Sequence, residues 1–147
     1  MIQLSGEQVI EYGIPLVREC MGDLLGEKAA EQFEGATGMD TFWGVFVEDA
    51  LVCLVGLGSL LSSNKVWLGW FCVSAKYRNK GLGGSALTYA EERAWEIGYK
   101  EIFIETYNSP IFEPAIKFYR GRGYKEVGGC AEYLDDGTDA VFMRKVL

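Results

Sequence analysis

The stretch SAKYRNKGLGGSAL, residues 74–87, gathers the side chains and bare backbone best suited to chemistry. Lys76, Arg78 and Lys80 place three basic groups within five residues, and Gly81, Gly83 and Gly84 follow within four. A helical pattern runs on behind them. The first N–H groups of a helix lack intrahelical acceptors, and the helix dipole is positive there. Glycines let such amides approach a ligand without side-chain obstruction. The stretch therefore reads as an anion site, with a phosphate as the usual guest. Arg78 and Lys80 can add charge at its rim. A plainer reading stands beside this one, in which the glycines serve only a tight turn and close helix packing.

Other chemistries drop out. The chain has no histidine, which excludes Ser–His and Cys–His nucleophile pairs and His-bearing zinc sites. A general base must then be Glu, Asp, Tyr, Cys, Lys, the N-terminus or a water. Cys20, Cys53, Cys72 and Cys130 are scattered without a C-x-x-C pair, and read as buried free thiols rather than a disulfide frame or a metal site. A net charge of −7 argues against nucleic-acid binding through bulk charge. The start lacks a basic segment followed by an apolar run, and no run of about 18 apolar residues occurs, so neither a secretion signal nor a membrane span is expected. A P-loop string is absent. Gly81, Gly83 and Ala86 meet G-x-G-x-x-G/A formally, but the strand before them ends near Val73 and belongs to an antiparallel run, which argues against a dinucleotide fold.

The elements that must position these residues follow from periodicity. With 147 residues, one domain is expected. Ser5 and Gln8 fit a capping box. Val9, Gly13, Leu16, Val17, Cys20 and Leu24 recur at helical spacing, with Pro15 expected to bend or split the helix. A short helix is expected over Glu27 to Glu34, and EGATG reads as a loop. TFWGVFVE (residues 41–48), LVCLVGLGSLL (51–61) and VWLGWFCV (66–73) read as three strands joined by the turns EDA and SSNK. A helix from about Gly83 to Ile97 puts Leu82, Ala86, Ala90, Ala94 and Ile97 on one face, and Gly98 caps it. KEIFIETY is a strand. PAIKFYRGRGY is a short helix opened by Pro114 and closed near Gly123. CAEYLDDGTDAVFMRKV reads as a hairpin with DDGT at its tip. The sum is an α+β or mixed α/β layer around one sheet.

RNKGLG, Arg78 to Gly83, resembles the Arg/Gln-x-x-Gly-x-Gly/Ala pattern of the GNAT N-acetyltransferase superfamily at every defined position. PAIKFYRGRGYKEVG resembles that family's later A-x-x-F/L-Y-x-x-x-G-F/Y segment. The likeness covers roughly residues 41–147. It implies a GNAT-like acyltransferase fold, with one mainly antiparallel central sheet and helices packed on both faces. It also implies a cytoplasmic enzyme passing acetyl from acetyl-CoA to the amine of a small molecule or peptide in a ternary complex. Neither a nucleic acid, a membrane nor a metal is implied, and a homodimer is left open. Carried over by motif position, the CoA site comprises Phe71, Cys72 and Val73 on the central strand, then Arg78, Asn79, Lys80, Gly81, Leu82, Gly83, Gly84 and Ser85. Tyr119 stands where the family's recurrent tyrosine protonates the departing thiolate. A packing role beside Phe118 is its alternative.

This chain departs from the pattern in two places. The central strand carries no Glu, leaving Glu105 on the neighbouring strand as the nearest candidate base, with a solvated strand-end charge or a water relay as alternatives. Phe112 occupies a position where relatives often place an Asn, and Asn108 and Ser109 lie nearby. Cys72 reads as a small buried hydrophobe, since it has no histidine partner. Asp135, Asp136 and Asp139 suit either a cationic acceptor or a solvated hairpin tip. A non-catalytic acyl-CoA-binding or regulatory domain using the same cradle is the second reading of the whole.

Overall fold

The computed structural model describes residues 1–25, 27–36, 40–58 and 64–147, with backbone alone for 22–25 and 36. Its elements are β1 (Ile2–Gln3), α1 (Gly6–Gln8), α2 (Ile14–Leu25), α3 (Glu27–Ala36), β2 (Asp40–Val47), β3 (Ala50–Gly58) and β4 (Lys65–Val73). They continue as α4 (Leu82–Ile97), β5 (Glu101–Tyr107), α5 (Glu113–Gly121), β6 (Lys125–Cys130) and β7 (Ala140–Val146). The seven strands form one sheet in the order β1-β2-β3-β4-β5-β7-β6. Every neighbouring pair is antiparallel except β4 with β5. The result is the expected mixed α+β fold, with helices on both faces.

Alternation along the strands divides the core in two. One face carries Trp43, Val55, Leu57, Val66, Leu68, Ile102 and Ile104, and packs on Leu87, Ala90 and Ala94 of α4 and on Tyr119. The other carries Phe42, Leu54 and Cys72, and packs on Val9, Leu16, Val17, Ala29 and Phe33 of the N-terminal helices. Full burial of Leu87 alone is worth roughly 1.5–3 kcal/mol.

Several expectations shift. The Ser5–Gln8 capping box forms, but Pro15 does not split the helix, since α2 runs through it. A π-helical turn, Val9–Gly13, precedes α2 instead. Proline has no N–H to offer the carbonyl four residues back and its ring crowds that carbonyl, so a widened turn accommodates it. Helix α3 runs on through Ala36, so Glu34–Ala36 of EGATG are helical; Thr37 and Gly38, like residues 59–63 of the expected strand end and turn, lie outside the described residues. Strand β2 starts one residue early, at Asp40, and Ala50 and Lys65 belong to strands rather than turns. Ile97 is 61% exposed and leaves the expected apolar face of α4. Helix α5 ends at Gly121, before Tyr124. The last hairpin begins at Lys125, not Cys130. All six residues of β6 are exposed and two are glycine, so no alternation marks it. Strand β1 had no signal either. Cys130 is exposed, contrary to the reading of all four thiols as buried, whereas Cys53 and Cys72 are buried and Cys20 partly so.

Candidate active site

The site begins with a fault in the sheet. Leu57 of β3 faces Leu68 of β4, yet Val55 faces Phe71, so Gly69 and Trp70 together oppose Gly56. Such a bulge bends its strand. Parallel pairing with β5 accordingly stops at Leu68 and Ile104, although β4 continues to Val73 and β5 to Tyr107. The two strands splay, and the β5-facing backbone of β4 beyond Gly69 loses its ladder partner. The Val73 carbonyl accepts from Arg78 Nε at 2.8 Å and from Cys20 Sγ at 3.4 Å.

A cradle follows β4. A 3₁₀ turn over Ala75–Tyr77 leads to Asn79 at φ 58° and Gly81 at φ 83°. Both are left-handed conformations, which Gly adopts freely and Asn better than most. Gly81 thereby caps α4 with no side chain of its own to occupy the first-turn amides. The Ser85 amide already bonds the Gly81 carbonyl at 3.0 Å, so the amides of residues 82–84 are the ones left for a ligand. A cavity of about 430 Å³ opens here, lined by Cys20, Phe71, Cys72, Val73, Arg78, Asn79, Gly81, Gly83, Gly84 and, from α5 and its flanks, Phe118, Tyr119 and Arg122. Eight of the eleven expected CoA residues thus share one cavity. Leu82, Ser85 and Lys80 lie outside its lining, with the Lys80 ammonium 5.6 Å from the Tyr77 ring centroid.

A second cavity of about 400 Å³ occupies the splay itself. It is lined by Asp40, Gly58, Trp67, Leu68, Gly69, Trp70, Ile104, Glu105, Thr106 and Tyr107, with Gln32 from α3. Both cavities share Met21, Phe71, Phe112, Ala115 and Tyr119. Tyr119 therefore stands at their junction, 7% exposed, among Phe71, Phe118 and Tyr124 with ring centroids 5.5–6.3 Å away. Burial, with the Cys72 thiol second, raises its phenol above the ordinary range and keeps it protonated. Tyr119 thus packs in the core and also lines both cavities.

Glu105 reaches the second cavity and accepts a hydrogen bond from the Tyr107 hydroxyl at 2.9 Å. Burial first, then this contact, pushes Tyr107 upward. Asp40 is half-buried, and desolvation raises its carboxyl above the usual range. Thr106 is 3% exposed and its hydroxyl has no partner among the described residues. Phe112 packs edge-on against Tyr107 at 5.0 Å, so an aromatic wall stands where relatives often place an amide. Cys72 is fully buried; its hydrogen bond to Cys20, and then burial, push the thiol well up, which disfavours a nucleophilic thiolate. At the hairpin tip, Asp136 accepts from the Thr138 amide and Asp139 from the Glu132 amide, both at 2.9 Å, while Asp135 pairs with Lys28 at 2.6 Å. Asp136 and Asp139 shape the tip. Asp135 and Asp136 also border a wider recess of about 700 Å³, which shares Gln32, Glu105 and Tyr107 with the second cavity.

Sequence reasoning missed Asp40, Thr106 and Arg122. Arg122 Nη1 reaches the Gly84 carbonyl at 3.4 Å across 38 residues of chain, and nothing local signals that contact.

No curated protein matches the chain in sequence. Among solved structures, the ribosomal-protein-S18-alanine N-acetyltransferase of Escherichia coli is 17% identical with a TM-score of 0.79, covering 99% of this chain and 91% of its own. An aminoglycoside 6'-acetyltransferase type Ii is 22% identical with a TM-score of 0.81, over 99% and 97%. A GNAT family acetyltransferase from Elizabethkingia anophelis, solved with acetyl-CoA bound, is 16% identical with a TM-score of 0.77, over 90% and 89%. These likenesses establish the fold. The model of the acetyltransferase (GNAT) family matches residues 12–124, and the chain belongs to that family.

Proposed function

We propose that the protein is an N-acetyltransferase that moves the acetyl group of acetyl-CoA onto a primary amine of a small molecule or peptide, by direct attack in a ternary complex. One observation carries this reading: two cavities of opposite character meet at Phe71 and Tyr119. The first offers free helix amides and two guanidinium groups, Arg78 and Arg122, and suits a pyrophosphate. Among the described residues, the second is lined by two carboxylates, Asp40 and Glu105, and aromatic walls, with no Lys or Arg, and suits an ammonium. The acetyl-CoA bound in the Elizabethkingia anophelis protein and the aminoglycoside in the other enzyme's name support both assignments.

The chain's own groups divide the work. The amides of residues 82–84 and the guanidinium groups hold the phosphates. The backbone of Phe71, Cys72 and Val73 pairs with β3 but not with β5, and an amide on that open side can polarise a thioester carbonyl, an effect worth a few kcal/mol per donor. Tyr119 donates its proton to the departing sulfur. Glu105, held by Tyr107, adds negative charge on the acceptor side. The test is release of free CoA from acetyl-CoA across a panel of primary amines, beside calorimetric titration with CoA. Binding with amine-dependent release supports the proposal. Binding without release from any amine makes the chain an acyl-CoA-binding domain, and absence of binding defeats both.

A further inference from the structure

The second cavity contains a carboxylate that the fold has cleared space for. Asp40 opens β2, opposite Gly58 of β3. A Cβ at Gly58 would stand 1.9 Å from Asp40 Oδ1, and a Cβ at Gly69 of β4 would stand 2.7 Å from Oδ2. The carboxylate thus lies across two strands on bare backbone, reaching the first bulged residue of β4, where β5 departs. It makes no hydrogen bond or ion pair with any described residue. Thr106 lines the same cavity, and its hydroxyl is buried there without a partner among the described residues. Aromatic rings of Trp67, Trp70 and Phe71 complete the wall. A desolvated carboxylate, an unpaired hydroxyl and π faces together fit an alkylammonium.

We infer that Asp40 seats the acceptor's ammonium in this cavity and takes its proton, with Thr106 as a second contact. This rests on the acyl-transfer reading above. The ammonium gives one proton to an Asp40 oxygen, and the freed nitrogen lone pair forms the C–N bond as the C–S bond breaks. Sulfur takes the Tyr119 proton, the surplus proton on nitrogen returns to Tyr119 through solvent, and Asp40 passes its proton to water. Ammonium plus acetyl-CoA thereby give amide, free CoA and one proton. The raised carboxyl of Asp40 narrows its gap to an amine and suits it to this exchange. The other titratable groups of the cavity are Glu105 and Tyr107 on β5 and Tyr119 on α5; Lys28 and Glu31 of α3 face the adjoining recess. Glu105 differs from Asp40 in already accepting the Tyr107 hydroxyl and in opening onto that recess.

The probe is propylamine. Titrated into the protein, it should give saturable amide shifts at Gly58 and Gly69, and Asp40→Asn should abolish them. In single-turnover acetyl transfer, Asp40→Asn should lower the rate at least about tenfold, the cautious end of general-base effects. It should also remove the acidic limb of the pH profile, while CoA affinity stays within about twofold. Glu105→Gln should keep that limb. Gly69→Ala, which displaces the carboxylate without removing it, should slow transfer likewise and covers any folding defect of Asp40→Asn. Absence of shifts at both glycines, or an acidic limb that survives Asp40→Asn and disappears in Glu105→Gln, overturns the inference. Failure of wild-type protein to bind CoA defeats the acyl-transfer reading instead, and the propylamine shifts still decide the ammonium seat.

Discussion

Gly83→Ala should separate what the cradle does for a ligand from what it does for the fold. A Cβ at Gly83 would meet Phe71, Val73 and Phe118 at 3.7–3.9 Å, which is ordinary contact. No steric cost to the unliganded protein follows. Gly within a helix is less favourable than Ala by roughly 0.5–1 kcal/mol, so the variant should be at least as stable. For a chain of this size, about 1 kcal/mol corresponds to a rise in Tm of about 2–4 °C. The same methyl points into the cavity beside the free amides of residues 82–84. Excluding one amide–phosphate hydrogen bond to a charged group costs about 1.5–3 kcal/mol, or about 10- to 150-fold in affinity. Calorimetric titration with CoA and thermal melting read the two effects independently. A variant that melts as expected and binds CoA within about twofold of wild type would refute the cradle assignment.

Tyr119→Phe removes a hydroxyl and keeps the ring among Phe71, Phe118 and Tyr124; single-turnover transfer should slow at least about tenfold with CoA affinity unchanged, and an unchanged rate reduces Tyr119 to packing. Arg122→Ala should weaken CoA binding about tenfold, one charge-assisted hydrogen bond in a partly exposed setting, whereas Lys80→Ala should change it less than about twofold, because Lys80 lies outside the cavity. Burial raises the phenols of Tyr119 and Tyr124, so the folded state holds those protons after the unfolded chain has released them. Their stabilising contribution is complete below about pH 10 and is lost above it; urea melts between about pH 9 and 11 should show the decline, and Tyr124→Phe should make it shallower.

What could be read in the sequence was what local chemistry dictates. Gly81, Gly83 and Gly84 mark a helix start with bare amides because no other residue leaves them so open, and a cavity does open at that point. The strands β2 to β5 were legible because their buried residues alternate or run together. Strand β6 was not, since none of its residues is buried and it sits at the sheet edge beside β7. Asp40 was equally invisible. Its environment arises from the register of three strands, Asp40 against Gly58 and the bulge that brings Gly69 alongside, and register is a long-range property. Arg122 illustrates the same limit, as its partner Gly84 lies on a different helix.

The bulge in β4 connects these parts. Without it β4 and β5 would pair along their length, and the sheet would separate its two faces. Tyr119 belongs to the face packed against α4. Asp40 shares the opposite face with Phe42, two residues along the same strand. A proton donor and a proton acceptor on opposite faces can serve one reaction only if the reacting centre lies in the opening between β4 and β5. The nucleophile then approaches from one side as the leaving group departs towards the other, so neither has to vacate the site first. A covalent relay through the protein would gain nothing from this arrangement. Of the two free thiols lining the first cavity, the contact between them and then burial hold Cys72 protonated, while the same contact lowers Cys20, whose thiol donates to the Val73 carbonyl. The direct transfer proposed above is compatible with a reacting centre in that opening.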